Sequence, residues 1–446
     1  MRYFLDPFGC VKNQVDAETM MALLDASGWE AVKAPEAADL IIVNSCGFIE
    51  SAKRESIDAV LAYRRDYPGT RILLAGCLAQ RYAAELSQSL PEADGLFGNA
   101  DLSRIVQAAS AALEGSPQTL IPPAPPQQEP VQMGARPLLS PPGSAYVKIA
   151  EGCNNRCSFC AIPGIRGPLR SRPVASVLDE CKALLARGVR ELCLIGQDLG
   201  SYGRDFPAAG SSAPLVELLR ALSALEGDFW ARLLYIHPDN FPLPLLNLCQ
   251  ADSRLLPYFD LPFQHGSAAV LRAMNRRGDA ASYLALIERI RAALPDAAIR
   301  SAVLTGFPGE TDADFQALVD FQARAQLDWL GVFTYSREED TPAYTMKGRV
   351  PKKLAAERKG IIEERQIPLT QARMSRFIGR EMTALTEERI EGEAGLSLGR
   401  VFCQAPEVDG AAVLHADRDL RPGEFVRCKV FAQAGFDLEA AVLAGR

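Results

Sequence analysis

Three cysteines share one short run, EGCNNRCSFC: Cys153, Cys157 and Cys160, spaced C-x3-C-x2-C. A structural zinc site closes with four nitrogen or sulfur ligands, and no fourth Cys or His stands nearby in the chain. Three thiolates instead suit a cubic iron–sulfur cluster, which takes four ligands, so one iron stays open to an outside molecule. The amino and carboxylate groups of S-adenosylmethionine could take that position and bring the sulfonium beside the cluster. An electron would then cleave the sulfonium and release a 5′-deoxyadenosyl radical, which can remove hydrogen from an unactivated carbon. Acid–base chemistry on side chains cannot do this. The competing reading is three clustered structural thiols.

A second set is dispersed. Cys10, Cys46 and Cys77 each fall within three residues after a short apolar run: RYFLDPF, DLIIVNS and RILLAG. Between these runs lie helical patterns, VDAETMMALLDASG and SIDAVLAYRRDY. Strand–helix alternation implies a parallel sheet with helices on its faces, and ligands of such sheets sit beyond the carboxyl ends of the strands. Three thiols on three successive loops should therefore converge, which favours a shared metal site over three independent core thiols. Cys181, Cys193, Cys249, Cys403 and Cys428 lie inside apolar patterns and read as core. Eleven cysteines over 446 residues are too sparse for a disulfide-built secreted domain.

The elements that must hold the first motif repeat the strand–helix rhythm. AYVKIA, ELCLIG, RLLYIH, YFDLPF, IRSAVLTG and WLGVFTY read as strands, with helices such as VASVLDECKALLARG, YLALIERIRAAL and ADFQALVDFQARAQ between several of them. Six βα units fit a partial barrel, whose chemistry lies at the C-terminal strand ends. Just past those ends stand the Cys153 loop, Gln197 and Asp198, His237, Gln264 and His265, the turn GFPGE, and Ser336. From 116 to 143, nine of 28 residues are proline, which reads as an extended, semi-rigid linker. Residues 350–376 look helical, although Pro368 should kink or end that helix. Beyond them LSLGRVFC, GAAVLHA and GEFVRCKVFA suggest a small β domain. The expected division is 1–120, a linker at 121–139, 140–376 and 377–446, an α/β chain with a small all-β barrel at its end.

Hydrophobic residues at 48% and charged residues at 23% describe a globular chain rather than a disordered one. No uncharged apolar run approaches the roughly 18–20 residues needed to cross a bilayer, and MRYFLDPFGC does not read as a signal peptide. The reading is a cytoplasmic protein with no membrane role. A net charge of −7 leans against nucleic acid as the main partner.

The motif residues resemble a known family. C-x3-C-x2-C with an aromatic, Phe159, before its last Cys is similar to the signature of radical S-adenosylmethionine enzymes. EGCNNRCSFCAIPGIRGPLRSRP resembles the methylthiotransferase branch, as do FGCVKNQVDAE, NSCGFIESAKRES and GCLAQRY, and the closing segment resembles a TRAM domain. Within that branch, tRNA-modifying enzymes usually follow the first Cys with a Gln-Met-Asn type of sequence and the second with Ser-Val-Arg. Here Val11-Lys12-Asn13 and Gly47-Phe48-Ile49-Glu50 stand in those places. This resembles the enzymes that methylthiolate the β-carbon of an aspartate in ribosomal protein S12. The resemblance implies two 4Fe-4S clusters. One, on Cys153, Cys157 and Cys160, would cleave S-adenosylmethionine; the other, on Cys10, Cys46 and Cys77, would carry the sulfur or methylsulfide. It also implies an electron-donor protein and a cofactor contact from Gln197, because the corresponding strand end lines the site in this family; His265 and Gly306 are further candidates by their positions.

Other residues have two readings each. His265 either contacts the cofactor or is a hydrogen-bonded support of the barrel rim. Gly306 and Gly309 either let backbone approach the cofactor or simply make a turn. Arg156, Arg166, Arg170 and Arg172 could fork onto a carboxylate of cofactor or substrate, against a bland reading as surface arginines. The final domain, 377–446, holds 12 acidic and eight basic residues, which suits a basic ribosomal protein better than tRNA. The segment 350–376, with seven basic and three acidic residues, could touch ribosomal RNA but reads first as a solvated helix face. The family usually has Glu-Gly-Thr where this chain has Glu339-Asp340-Thr341, so a position needing positive φ would strain Asp340. The alternatives are methylthiolation of tRNA adenosine, and a non-catalytic iron–sulfur or zinc protein docking on ribosomes.

Overall fold

A computed structural model describes residues 1–115, 118–123, 135–207 and 213–443. The first elements are β1 (Arg2–Pro7), α1 (Val11–Ala26), β2 (Glu30–Ala31), β3 (Leu40–Ser45), α2 (Glu50–Asp66), β4 (Arg71–Gly76), α3 (Cys77–Ser89), β5 (Gly95–Gly98), α4 (Ile105–Leu113) and β6 (Gln118–Leu120). Among the described residues the strands form one parallel sheet in the order β2-β1-β3-β4-β5-β6. Because side chains alternate along a strand, Leu40 and Ile42 pack with Met20, Leu24 and Ile105 on one face. Ile41 and Val43 pack with Val60, Leu78 and Leu86 on the other. Both faces are covered, as continuous apolar strands require. Sequence patterning supplied three of these strands. β2, β5 and β6 are too short to announce themselves, and β6 is tolerated at the head of the Pro-rich stretch because it is an outer strand.

The chain then forms β7 (Ser144–Lys148), β8 (Ala150–Glu151), α5 (Ile162–Arg166), β9 (Arg170–Ser171), α6 (Val174–Ala186), β10 (Glu191–Ile195), α7 (Pro214–Ser223), β11 (Trp230–Leu233), α8 (Pro244–Ala251), β12 (Leu255–Asp260), α9 (Ala268–Ala273), α10 (Ala280–Ala293), β13 (Ala298–Thr305), α11 (Asp312–Ala325) and β14 (Trp329–Thr334). Six strands among the described residues make an open parallel sheet, β14-β13-β12-β11-β10-β7, the partial barrel expected. α10 and α11 start at capping boxes, Asp279 with Ser282 and Thr311 with Asp314. α7 and α8 start with Pro214 and Pro244 at the first helical position, where a missing N–H costs nothing.

α12 (Lys352–Ser375) continues past Pro368 rather than ending there. Pro368 is exposed, so the carbonyl it leaves unbonded faces water, while the buried side is fastened at every turn. Gln322 donates to the Ile362 carbonyl at 2.9 Å, Gln366 to the Leu327 carbonyl at 3.0 Å, and Thr370 to the Asp328 carbonyl at 2.9 Å. β15 (Glu381–Arg389), β16 (Leu396–Val401), β17 (Ala412–His415), β18 (Phe425–Ala434) and β19 (Asp437–Val442) close a barrel in the order β15-β16-β17-β19-β18. Its β16–β17 connection is held by the parallel sheet. Arg232 donates to the Phe402 carbonyl at 2.8 Å, Trp329 Nε1 to the Cys403 carbonyl at 2.7 Å, and the Tyr258 hydroxyl to Asp409 at 2.6 Å.

By its contacts the chain makes two compact units. One contains Met1–Leu139, Lys148–Ser176 and Ser336–Tyr344; the other contains Ser140–Val147, Val177–Tyr335 and Thr345–Arg446. The loop of Cys153, Cys157 and Cys160 thus shares a unit with the sheet that carries Cys10, Cys46 and Cys77. Among the described residues no helix is long and apolar enough to cross a membrane.

Candidate metal centres

Cys10 stands at the N-cap of α1, Cys46 directly after β3, and Cys77 opens α3. All three therefore lie at the carboxyl ends of neighbouring parallel strands, and Cys10 and Cys77 meet helix ends whose free N–H groups favour negative charge. The three loops pack closely. A Cβ on Gly9, whose φ is +91°, would fall 2.8 Å from Cys46 Cβ, and one on Gly47 would fall 2.7 Å from the Cys77 carbonyl oxygen. Glycine beside each thiol is what lets the loops meet. Cys10 is exposed, whereas Cys46 and Cys77 are buried. Burial pushes the Cys46 thiol up to about 12, with the neighbouring Cys77 and Cys10 adding to the rise. Burial also raises Cys77, against the pull of the Arg166 guanidinium. Bare thiolates are costly here, and a bound cation offsets that cost. Among the described residues no three His, Cys, Asp or Glu side chains form a ready cage for a single ion. Three thiols on separate loops suit the wider span of a cube.

The other set sits on a local lobe. β8 and β9 pair antiparallel, Ala150 with Ser171 and Glu151 with Arg170, and close its base. Cys153 N–H donates to the Gly167 carbonyl at 3.1 Å, Cys160 N–H to the Cys157 carbonyl at 3.1 Å, and Leu169 N–H to Asn154 Oδ1 at 3.1 Å. All three thiols are half-buried. Of the four nearby arginines read first as surface residues, only Arg156 is exposed; Arg166, Arg170 and Arg172 are buried. Arg170 and Arg172 donate within the lobe itself. Arg170 reaches the Arg166 and Pro168 carbonyls at 3.3 and 3.2 Å, and Arg172 reaches the Lys148 carbonyl at 2.9 Å and Ser176 Oγ at 3.0 Å.

Arg166 joins the two sets. Its Nη2 donates to Cys77 Sγ at 3.1 Å and to Asn13 Oδ1 at 3.4 Å, while Nη1 binds Asp16 at 2.6 Å and Glu151 at 3.1 Å. Lys148 completes a square, with Nζ 2.5 Å from Asp16 and 2.6 Å from Glu151. Two cations and two carboxylates are thus buried together with no net charge, the arrangement that makes burial tolerable. Burial alone would lower Lys148 and Arg166, yet Asp16 and Glu151 hold both above their ordinary values. Cys77 also packs with Ala161 and Ile165, just after the Cys160 turn. Sequence reasoning missed this square. Its signal was α1, whose first turns carry Lys12, Asn13, Asp16 and Glu18 without a clean apolar stripe, and all four are buried.

A strap from Ser336 to Tyr344 fastens the same unit. Glu338 accepts from Lys53 at 3.0 Å, Arg81 at 2.8 Å and Ser336 Oγ at 2.6 Å, and Ala343 N–H donates to the Ser158 carbonyl at 2.8 Å. Burial opposes the Glu338 charge, but those donors keep its carboxyl below the usual range. Asp340 adopts φ +61°, so the position where the family usually has Gly does hold a positive φ here.

In the other unit, His265 is fully buried. Its Nδ1 accepts from Ser267 N–H at 2.9 Å and its Nε2 lies 3.5 Å from Glu310. The same Glu310 accepts from Gly306 N–H at 2.8 Å and is paired to Arg358 at 2.7 Å. Gly306 has φ +78°, and a Cβ there would fall 2.4 Å from Ala355 Cβ. His265 and Gly306 are therefore brought together around Glu310, whereas half-buried Gln197 follows β10, at a separate strand end. His237 is held neutral, lowered to about 4 by burial and by Arg276, and its Nδ1 accepts from Asp239 N–H at 3.2 Å. The five remaining cysteines, Cys181, Cys193, Cys249, Cys403 and Cys428, are buried.

Three family descriptions match the chain: an uncharacterised family, UPF0004, over residues 2–98, the radical SAM superfamily over 147–321, and a TRAM domain over 378–443. The chain is similar to the ribosomal protein uS12 methylthiotransferase RimO of Treponema denticola, at 46% identity over 98% of this chain and 100% of that protein. It is 42% identical to the RimO of Moorella thermoacetica over 92% of both chains, and 42% to that of Desulforudis audaxviator over 99% and 97%. Among solved structures, the radical S-adenosylmethionine methyltransferase TsrM from Kitasatospora setae matches with a TM-score of 0.54 at 17% identity, covering 77% of this chain and 76% of that one. At that identity the likeness speaks for the fold alone.

Proposed function

The chain belongs to the RimO family of ribosomal protein uS12 methylthiotransferases, and on that premise we propose that it adds a methylthio group to the β-carbon of an aspartate in ribosomal protein S12. Its cofactors are S-adenosylmethionine and a 4Fe-4S cluster, with Cys153, Cys157 and Cys160 as the ligands in this reading and Cys10, Cys46 and Cys77 as those of a second cluster. When bound, these groups supply a carbon-centred radical able to take hydrogen from the aspartate and a sulfur to install in its place.

The chain's own residues do the rest. The β8–β9 base, Arg170 and Arg172 fix the lobe so that three thiols from one loop face one cluster. Strand ends β1, β3 and β4 present the other three thiols from a rigid sheet. The Glu310 carboxylate accepts from the Gly306 and Phe307 N–H groups and so anchors that turn, with His265 Nε2 3.5 Å away. Gly306, His265 and Gln197 are the proposed contacts to S-adenosylmethionine, supported by their place at C-terminal strand ends of the parallel sheet. An electron-donor protein completes the chemistry. The acidic final domain favours S12 over tRNA, since a domain gripping phosphates is ordinarily basic.

The observation that carries the proposal is a pair of three-cysteine sets in one compact unit, tied through Arg166. Anaerobically reconstituted protein offered S12 and tRNA together should place the methylthio mass on the S12 aspartate. The same mass on tRNA adenosine, with S12 unchanged, would overturn it.

A further inference from the structure

We propose that Arg166 is a positioning residue for the cluster of Cys10, Cys46 and Cys77, raising its reduction potential through the hydrogen bond to Cys77 sulfur. The inference rests on the reading that those three thiols hold a cluster. Its basis is the division of labour in one guanidinium. Nη1 is spent on two buried carboxylates, Asp16 at 2.6 Å and Glu151 at 3.1 Å, which fix the plane of the group. Nη2 is then aimed at sulfur, 3.1 Å from Cys77. The Asn99 amide meets the same sulfur, with Nδ2 3.2 Å from Cys77 Sγ; turned over, its oxygen would instead accept from Arg166 Nε and Nη2 at 3.3 and 3.2 Å. A planar fork meets the carboxylates and the sulfur in one fixed geometry, which a lysine's compact, freely turning ammonium does not impose.

A charged donor on a cysteine sulfur withdraws electron density and favours the cluster's reduced form, because hydrogen bonds to the sulfurs and net charge set such potentials. Sulfur insertion has a use for that. A carbon radical brings one electron and a methylsulfide anion brings two, while the new C–S bond holds two. One electron is left over, and the cluster that releases the sulfur is the acceptor we assign. Arg166 itself lies six residues after Cys160, on the lobe of the other cysteine set. The loop that starts the radical chemistry thereby also sets the readiness of the partner cluster to accept that electron.

The test uses the full chain with Cys153, Cys157 and Cys160 replaced by Ala, so that only one cluster loads. Iron per chain and an anaerobic potentiometric titration followed by electron paramagnetic resonance are read for Arg166, Arg166→Met and Arg166→Lys. With iron retained, Arg166→Met should weaken the one-electron reduction equilibrium about tenfold, or about 59 mV, and Arg166→Lys should shift it less in the same direction. An unchanged potential in an iron-loaded variant overturns the role of Arg166 and leaves the cluster reading intact. Absence of iron in the chain that keeps Arg166 overturns the cluster reading, and the inference with it. If Arg166→Met does not fold, the lysine variant decides: a potential equal to that of the parent sinks the proposal.

Discussion

The two cysteine sets are assembled by opposite routes. Cys153, Cys157 and Cys160 come from eight consecutive residues, and a hairpin base with its own arginine pins shapes them locally. Cys10, Cys46 and Cys77 come from three loops that only a folded parallel sheet brings together. The local set stays half-buried and open. The dispersed set buries two of its thiols and places a guanidinium against one. A site read from spacing tolerates change elsewhere in the chain, whereas a site built by topology depends on everything that positions three strands.

The largest expected contrast follows from this division. Cys157→Ala should reduce 5′-deoxyadenosine release to background. Cys77→Ala should go on releasing 5′-deoxyadenosine while forming no methylthio product on S12. Chromatography of the nucleoside and mass spectrometry of S12 from one reaction read both. If the two variants lose both activities alike, the two sets do not divide the work.

A second break acts on the tie between them. Asp16→Ala leaves Lys148 and Arg166 sharing Glu151 in a buried place, and losing one partner of a buried ionic group typically costs about 3–5 kcal/mol. Denaturant unfolding should show that loss. By contrast Asp312→Ala, which removes an exposed partner of Arg358, should cost about 1 kcal/mol or less. A small cost for Asp16→Ala would mean that water enters the square.

How much of this was legible beforehand follows the same line. The C-x3-C-x2-C motif needs no fold to be read, and three apolar runs ending in cysteine were enough to place the other thiols at one sheet edge. The six-strand core of the second unit was also readable, because its strands lie in apolar runs set off by helical patterns. What escaped was long-range or mediated by charge. Nothing in the local pattern of GIRGPLR says that Arg166 points at Cys77 while Arg156 stays exposed. Pro368 does not end its helix; a proline rule does not record which face of the helix meets water. Short strands such as β5 fall below any periodicity test, whereas α7, with Leu215, Leu218, Leu219 and Leu222 buried on one face, carried a readable pattern that was not used. The GC, CG and GC pairs at Gly9–Cys10, Cys46–Gly47 and Gly76–Cys77 were a signal present and unused.

Those pairs sharpen the comparison at a smaller scale. Gly9→Ala forces an L side chain into φ +91° and against Cys46 Cβ, at 2.8 Å. Strained backbone of this kind costs about 1–3 kcal/mol. The expected result is poorer iron loading of the dispersed set with 5′-deoxyadenosine release near the parental rate. Equal iron in variant and parent would show that the loops need no such close approach.

The smallest effect belongs to Asp340. Its φ of +61° costs an L residue roughly 1–2 kcal/mol, and less for Asp than for most because its side chain bonds locally. Asp340→Gly removes that strain but gives the unfolded chain more freedom, worth about 0.4–1 kcal/mol in the other direction. The two nearly cancel, so the variant should change unfolding free energy by about 0.5 kcal/mol or less and leave product formation as it was. The strap does not depend on this residue, because Glu338, bound by Lys53 of α2 and Arg81 of α3, already holds it to the helices packed on the sheet that carries the dispersed thiols. A loss of activity in Asp340→Gly would therefore assign the aspartate carboxylate a part in the chemistry that its backbone conformation does not explain.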